Sequence, residues 1–257
     1  MLVDKPVGPS SFDVVQSLRS RYGVKAGHAG TLDPLASGLL LVLLGSSTRL
    51  ARYLVGLDKR YETEIRLGLR TTTADGEGEV LAETPMPTLR EIEALAGELE
   101  LTIPAASAVK VEGERAYKLH RRGVAVEMPT RRSTIHELRV RRYEPPLVEL
   151  SLRVSSGTYV RAIADALGGH CRTLRRTAVG PFRVEDADEG RVLPPLAALV
   201  HLPERELAEA EVGLVQQGQP LGGGEEGPVA LHFDGRLVAV ARGDGTTLRP
   251  ETVLPPA

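Results

Sequence analysis

One carboxylate, Asp33, lies in the stretch Gly27-His28-Ala29-Gly30-Thr31-Leu32-Asp33-Pro34-Leu35-Ala36-Ser37-Gly38, a loop punctuated by glycine and followed at once by an apolar run. A carboxylate held on a rigid loop can add to an electrophilic carbon or take up a proton, so Asp33 is the leading candidate for chemistry. Pro34 biases Asp33 away from helical backbone, and Gly27, Gly30 and Gly38 permit conformations or close approaches that a side chain would obstruct. An aspartate before proline is, taken alone, most often a turn residue. Leu39 to Leu44 are six consecutive apolar residues stopped by Gly45. They predict a fully buried strand that anchors the loop beside a cleft.

Other chemistry-bearing residues stand where regular structure would present them. Tyr61 opens an alternating segment, with Tyr61, Thr63, Ile65 and Leu67 on one face and Glu62, Glu64 and Arg66 on the other, the pattern of a half-buried strand. Val148, Leu150, Leu152 and Val154 alternate in the same way. Ser156-Gly157-Thr158 then turns the chain into a predicted helix that ends at Gly168-Gly169 and carries Tyr159 and Arg161 near its start. Ser10 or Ser11 caps a helix predicted to place Phe12, Val15, Leu18 and Tyr22 on one side, with Asp13 at its positive end. Leu89, Ile92, Leu95, Ala96 and Leu99 fall at helical spacing and predict an amphipathic helix. Strands and helices interleave without a regular βαβ rhythm, which favours an α+β fold with an antiparallel or mixed sheet.

The 257 residues, 42% of them hydrophobic, suffice for one sizeable domain and a small one. Neither the N-terminus nor the Leu39 to Leu44 run reads as a secretory or membrane segment, so a cytoplasmic location is expected. Cys171, the single cysteine, excludes an internal disulfide framework and a cysteine-based zinc cluster, and reads best as a small buried hydrophobe. The formal net charge of -2 does not announce a nucleic-acid partner. The charges are nevertheless segregated. Lys110, Arg115, Lys118, Arg121, Arg122, Arg131, Arg132, Arg139, Arg141 and Arg142 stand against four glutamates in one stretch. Arg172, Arg175, Arg176 and Arg183 make a second basic knot, whereas acids dominate from Pro203 onward. Such asymmetry is compatible with one phosphate-facing side. Near Leu193 to Glu211 proline and glutamate become frequent, and beyond them Pro228 to Phe233 and Arg236 to Ala241 flank Asp234-Gly235, a strong hairpin signal.

The stretch around Asp33, preceded by Val3-Asp4-Lys5-Pro6 and Gly8-Pro9-Ser10-Ser11, closely resembles the TruB family of bacterial tRNA pseudouridine-55 synthases. Asp58-Lys59-Arg60-Tyr61, Gly157-Thr158-Tyr159-Val160-Arg161 and Leu174-Arg175-Arg176-Thr177-Ala178-Val179 resemble three further family segments. The chain between Tyr159 and Leu174 is several residues shorter than is usual there. The segment from Ser107 to Tyr117 is similar to the start of the family's RNA-gripping insertion. The resemblance implies a pseudouridine synthase catalytic domain over residues 1–203, with an RNA-binding insertion at about 104–145 and a small PUA-like β-rich domain over 204–257.

The resemblance further implies isomerisation of uridine to pseudouridine at position 55 of the tRNA T-loop. Asp33 would be catalytic, Tyr61 would stack on the target base, Tyr159 and Leu174 would shape the uracil pocket, and Arg161 would hold Asp33 ionised and oriented. His28 would help displace the base. Lys110, Arg115, Lys118, Arg121 and Arg122 would meet the RNA backbone. Breaking the N1 glycosidic bond and joining C5 to C1′ consumes no second substrate, so neither cofactor nor metal is implied. The expected partner is the tRNA T-stem and loop, with no membrane, no obligatory protein partner and a monomeric chain. A noncatalytic RNA-binding module and a guide-RNA-dependent synthase are the competing readings. A carboxylate-dependent glycosidase would need a second acid, and no motif supplies one.

Overall fold

The computed structural model describes residues 1–111, 113–124 and 126–255. Glu112 of the segment from Ser107 to Tyr117, Ala125, and the last two residues of the tail lie outside the described residues. Contacts divide the chain into two compact units, residues 1–34, 39–55 and 180–257 in one and residues 35–38 and 56–179 in the other.

The second unit is built on a mixed sheet. Its central strand, β4 (Lys59–Leu67), buries every second residue, as its alternation predicts. It runs antiparallel to β11 (Leu147–Val154) on one side and to β12 (Gly169–Val179) on the other, with Tyr61 opposite Leu152 and Arg176. Beyond β11 lie β10 (Thr130–Glu144) and then β7 (Gly97–Thr102), both antiparallel. Beyond β12, the opening residues of β3 (Ala36–Leu44) pair in parallel, Ala36 with Leu174 and Gly38 with Arg176. Two small ribbons, β5 (Leu69–Thr71) with β6 (Val80–Glu83) and β8 (Lys110–Val111) with β9 (Glu114–Arg115), hang from this sheet's connections. Helices α3 (Leu89–Glu93), α4 (Ala116–Arg121) and α5 (Val160–Ala166) complete the unit.

In the first unit, β1 (Leu2–Lys5) and β2 (Ala26–His28) both pair with β3, and α1 (Ser11–Tyr22) connects them. The hydroxyl of Ser10 caps α1 through the Asp13 N–H while the Asp13 carboxylate takes the Ser10 N–H, a capping box, and Gly23 at φ +65° ends the helix. Helix α2 (Ala51–Leu54) and β13 (Phe182–Arg183) follow. The tail forms a second sheet in the order β14-β16-β17-β18-β15, from β14 (Glu204–Glu206), β15 (Leu221–Gly222), β16 (Glu226–Phe233), β17 (Arg236–Asp244) and β18 (Thr247–Val253), with α6 (Glu209–Gln216). Asp234 and Gly235 turn the β16-β17 hairpin with φ +48° and +70°, the left-handed pair its tight turn requires. Leu207, Val215, Val229, Leu231 and Leu248 make its core.

Three expectations are corrected. Phe12 does not join Val15 and Leu18 on the inner side of α1 but is 66% exposed. Ser11 takes the inner position, one turn before Val15, because its hydroxyl is engaged with the loop described below, and Phe12 is thereby rotated outward. The amphipathic helix ends at Glu93, and Gly97, at φ +118°, opens β7 instead. Leu99 there pairs with Ser133, so the ladder offered by β10 overrides the helical period. Arg176 of the second basic knot is withdrawn from the solvated surface. It is 1% exposed.

Candidate active site

Asp33 is held by its neighbours. The Leu32 N–H donates to Ser11 Oγ at 2.7 Å and Ser11 Oγ donates to the Leu32 carbonyl at 2.9 Å, with Ser11 itself buried. One residue past Asp33, the Pro34 carbonyl accepts the Gly8 N–H at 2.8 Å. Lys5, fully buried, donates to the carbonyls of Pro6 and Pro9 at 2.8 and 2.9 Å and so stiffens the segment that supplies these clamps. Gly30 enters the loop at φ +105°, and Leu32 is inserted into the interior at 3% exposure. The half-buried Asp33 therefore sits between two anchored residues and outside any helix or strand, as Pro34 requires. His28 closes β2 opposite Val42, half-buried.

In the second unit the sheet and α5 carry the other candidates. Tyr61 lies on the buried face of β4, and Leu174 lies in β12 opposite Thr63 and Ala36, also buried. Thr63 Oγ1 approaches Cys171 Sγ at 3.6 Å, and Cys171 is the buried hydrophobe expected of it. Tyr159 is the N-cap residue of α5, half-buried, with the Arg131 guanidinium 6.0 Å from its ring centre. Arg131 also donates to the Gly157 carbonyl at 3.1 Å, so this member of the basic stretch braces the turn before Tyr159.

Arg161 is buried at the start of α5, which packs against β12 and β4. Its guanidinium donates to the Thr73 carbonyl at 2.7 Å, the Ala106 carbonyl at 2.9 Å and Asp75 Oδ2 at 3.3 Å. Asp75 Oδ1 in turn accepts from the Glu77 N–H and from Thr73 Oγ1. The turn is strained, since Ala74 stands at φ +58°, and β12 pins it through the Cys171 N–H on the Ala74 carbonyl. The sequence reading missed Asp75. Its only signal was an acid in the Thr-Thr-Thr-Ala-Asp-Gly turn, with nothing to connect it to Arg161.

Lys59, at the head of β4, was also passed over. It is 6% exposed, and its ammonium donates to the Leu57 carbonyl at 2.5 Å and to Ser156 Oγ at 3.0 Å, tying the strand of Tyr61 to the turn that leads to Tyr159. Burial, and next the Arg176 charge, lower its pKa to about 8 against an opposing pull from Asp58.

Lys110, Arg115, Lys118, Arg121 and Arg122 are all exposed along the β8-β9 ribbon and α4. Arg121 stacks 5.6 Å from the Tyr117 ring centre, and Arg122 pairs with Glu114 at 2.8 Å. No helix among the described residues is long and apolar enough to cross a membrane.

Residues 18–160 match the family model described as TruB family pseudouridylate synthase, N terminal domain. The tRNA pseudouridine synthase B of Thermobifida fusca (strain YX) is 41% identical over 98% of this chain and 97% of its own length. That of Geobacillus kaustophilus (strain HTA426) is 42% identical over 85% of this chain and 88% of its own. Among solved structures, a chain of a Cbf5-Nop10-Gar1 complex is 26% identical, covers 99% of this chain and 85% of that one, and superposes with a TM-score of 0.71. A chain of an H/ACA RNP bound to a substrate RNA containing 2'-deoxyuridine, 24% identical with a TM-score of 0.72, shares the fold.

Proposed function

The chain belongs to the TruB family of pseudouridylate synthases, and from that membership we propose that it isomerises uridine to pseudouridine at position 55, in the T-loop of tRNA. The observation that carries the assignment of chemistry is the clamped Asp33, a carboxylate whose two flanking residues are both hydrogen-bonded to the segment from Gly8 to Ser11. The reaction breaks the N1–C1′ bond, forms C5–C1′ and moves one proton from C5 to N1. Asp33 serves whether it adds to uracil C6, adds to C1′ or first takes the C2′ proton, and a rigid loop lowers the cost of each by fixing the carboxylate before substrate arrives.

Extracting the base from its stack costs a few kcal/mol, which stacking on Tyr61 and contacts to the uracil edge offset. Tyr159 and Leu174 shape the pocket, His28 aids displacement of the base, and Arg161, itself held by Asp75, orients the Asp33 carboxylate. Residues 1–203 form the catalytic domain, 204–257 the PUA-like domain, and the insertion at 104–145 grips the RNA backbone through Lys110, Arg115, Lys118, Arg121 and Arg122. The chain works as a monomer without an obligatory protein partner.

Incubation of the purified protein with an unmodified T-arm stem-loop, followed by nucleoside analysis, tests this. Pseudouridine is expected at the loop uridine, and none with Asp33→Asn. Activity that appears only when a guide RNA and accessory proteins are added would replace the stand-alone reading, and tight RNA binding without isomerisation under either condition would leave a binding module.

A further inference from the structure

Phe12 is the largest apolar side chain that α1 turns to solvent. It is 66% exposed in a chain with three phenylalanines and no tryptophan, and it follows Ser11, the residue whose hydroxyl grips Leu32. Val7, 64% exposed, precedes Gly8, whose N–H holds the Pro34 carbonyl. Two exposed apolar side chains thus flank the clamps on either side of Asp33. The Ser11 hydrogen bond that holds the reactive loop also turns this aromatic ring outward, where it can meet a ligand rather than the core.

The surroundings restrict what the ring can meet. Asp13 is exposed beside it, and hydrogen bonds from the Ser10 hydroxyl and N–H keep its carboxyl below the usual range and therefore ionised. Asp4 is exposed on the same N-terminal segment. Two acids repel a phosphate, whereas a neutral nucleobase presents a π-face that an aromatic ring accepts whatever the base.

We propose that Phe12 is a stacking platform for an unpaired nucleobase of the RNA adjacent to the target uridine. The proposal rests on the reading of Asp33 as the reacting residue of an RNA-modifying site.

The absence of tryptophan from the sequence provides a direct test. In Phe12→Trp the new indole is the only one, and titration with the unmodified T-arm stem-loop should quench its fluorescence to saturation. Phe12→Ala should raise KM for that RNA about fivefold to tenfold with kcat little changed, as loss of one base stack predicts. The salt dependence of binding should stay the same, because no phosphate contact is lost. Phe12→Tyr should restore KM. If the Phe12→Trp protein binds and isomerises the RNA with unaltered fluorescence, or if Phe12→Ala leaves KM unchanged, the platform is refuted while the function stands. Fluorescence that changes with protein concentration and not with RNA would also refute it, by assigning the face to a second copy. Failure of the unsubstituted protein to form pseudouridine tells against the functional reading instead, and quenching by RNA would still support the platform.

Discussion

The Arg161 guanidinium donates to the Asp75 carboxylate at 3.3 Å, with both side chains almost wholly withdrawn from water. A buried pair adds little net stability over an apolar pair of the same volume, but removal of one partner leaves an uncompensated charge and costs about 3–5 kcal/mol. Its value here is orientation, since Asp75, Thr73 and Ala106 together fix the guanidinium on a rigid turn.

Asp75→Asn should therefore lower kcat sharply, on the order of 100-fold, because displacement of a positioning group by about 1 Å has that effect. RNA affinity should change far less. Single-turnover isomerisation beside filter binding separates the two, and an equal loss in both would show that Asp75 serves folding alone.

Lys59 predicts a pH-dependent stability of definite sign. Its pKa is about 8 in the folded chain and near 10.5 in the unfolded one. Between these values the unfolded chain holds a proton that the folded chain has released, so folding becomes more favourable as pH rises from 8 toward 10.5. Against Lys59→Met, the protein should gain up to roughly 3 kcal/mol across that window. Urea unfolding of both proteins at pH 7, 8.5 and 10 measures the difference. Parallel curves would show that the ammonium is not held in a desolvated site.

Gly38 lies where β3 meets β12, at φ +105°. A Cβ added there would stand 2.2 Å from the Arg176 carbonyl oxygen. Gly38→Ala should destabilise by about 4 kcal/mol or more, the range of forced backbone shifts, and should lower the unfolding temperature steeply. Gly56→Ala, where a Cβ meets nothing within 4 Å, should change it little.

Replacing Arg121 and Arg122 by glutamine should weaken T-arm binding and flatten its dependence on salt by about one to two units of slope. Arg122 is partly neutralised by Glu114, so Arg121→Gln should account for the larger share. An unchanged slope would place the backbone contacts elsewhere.

Much of the fold was legible because it rests on local periods. The alternation of β4 and β11, the buried run of β3, the capping box of α1 and the Asp234-Gly235 hairpin each follow from residues a few positions apart. The errors lie where distant partners decide. Leu99 satisfies a helical period, yet β10 offers it a ladder, and Gly97 releases the chain to take it. Phe12 satisfies the apolar stripe of α1, but Ser11 has a partner in Leu32, 21 residues further on, and the helix turns accordingly.

By itself the sequence determined that Asp33 stands on a constrained loop before a buried strand, that Tyr61 faces inward from an alternating one, and that Arg161 opens a helix after a glycine turn. Short-range sterics and side-chain period suffice for each. Tertiary structure alone decided that Arg161 is held by Asp75, 86 residues away, that Arg176 is buried, and that Lys59 joins β4 to the turn before α5. A buried charge is tolerated only where its hydrogen-bond partners converge, and that convergence leaves no spacing in the sequence to be read.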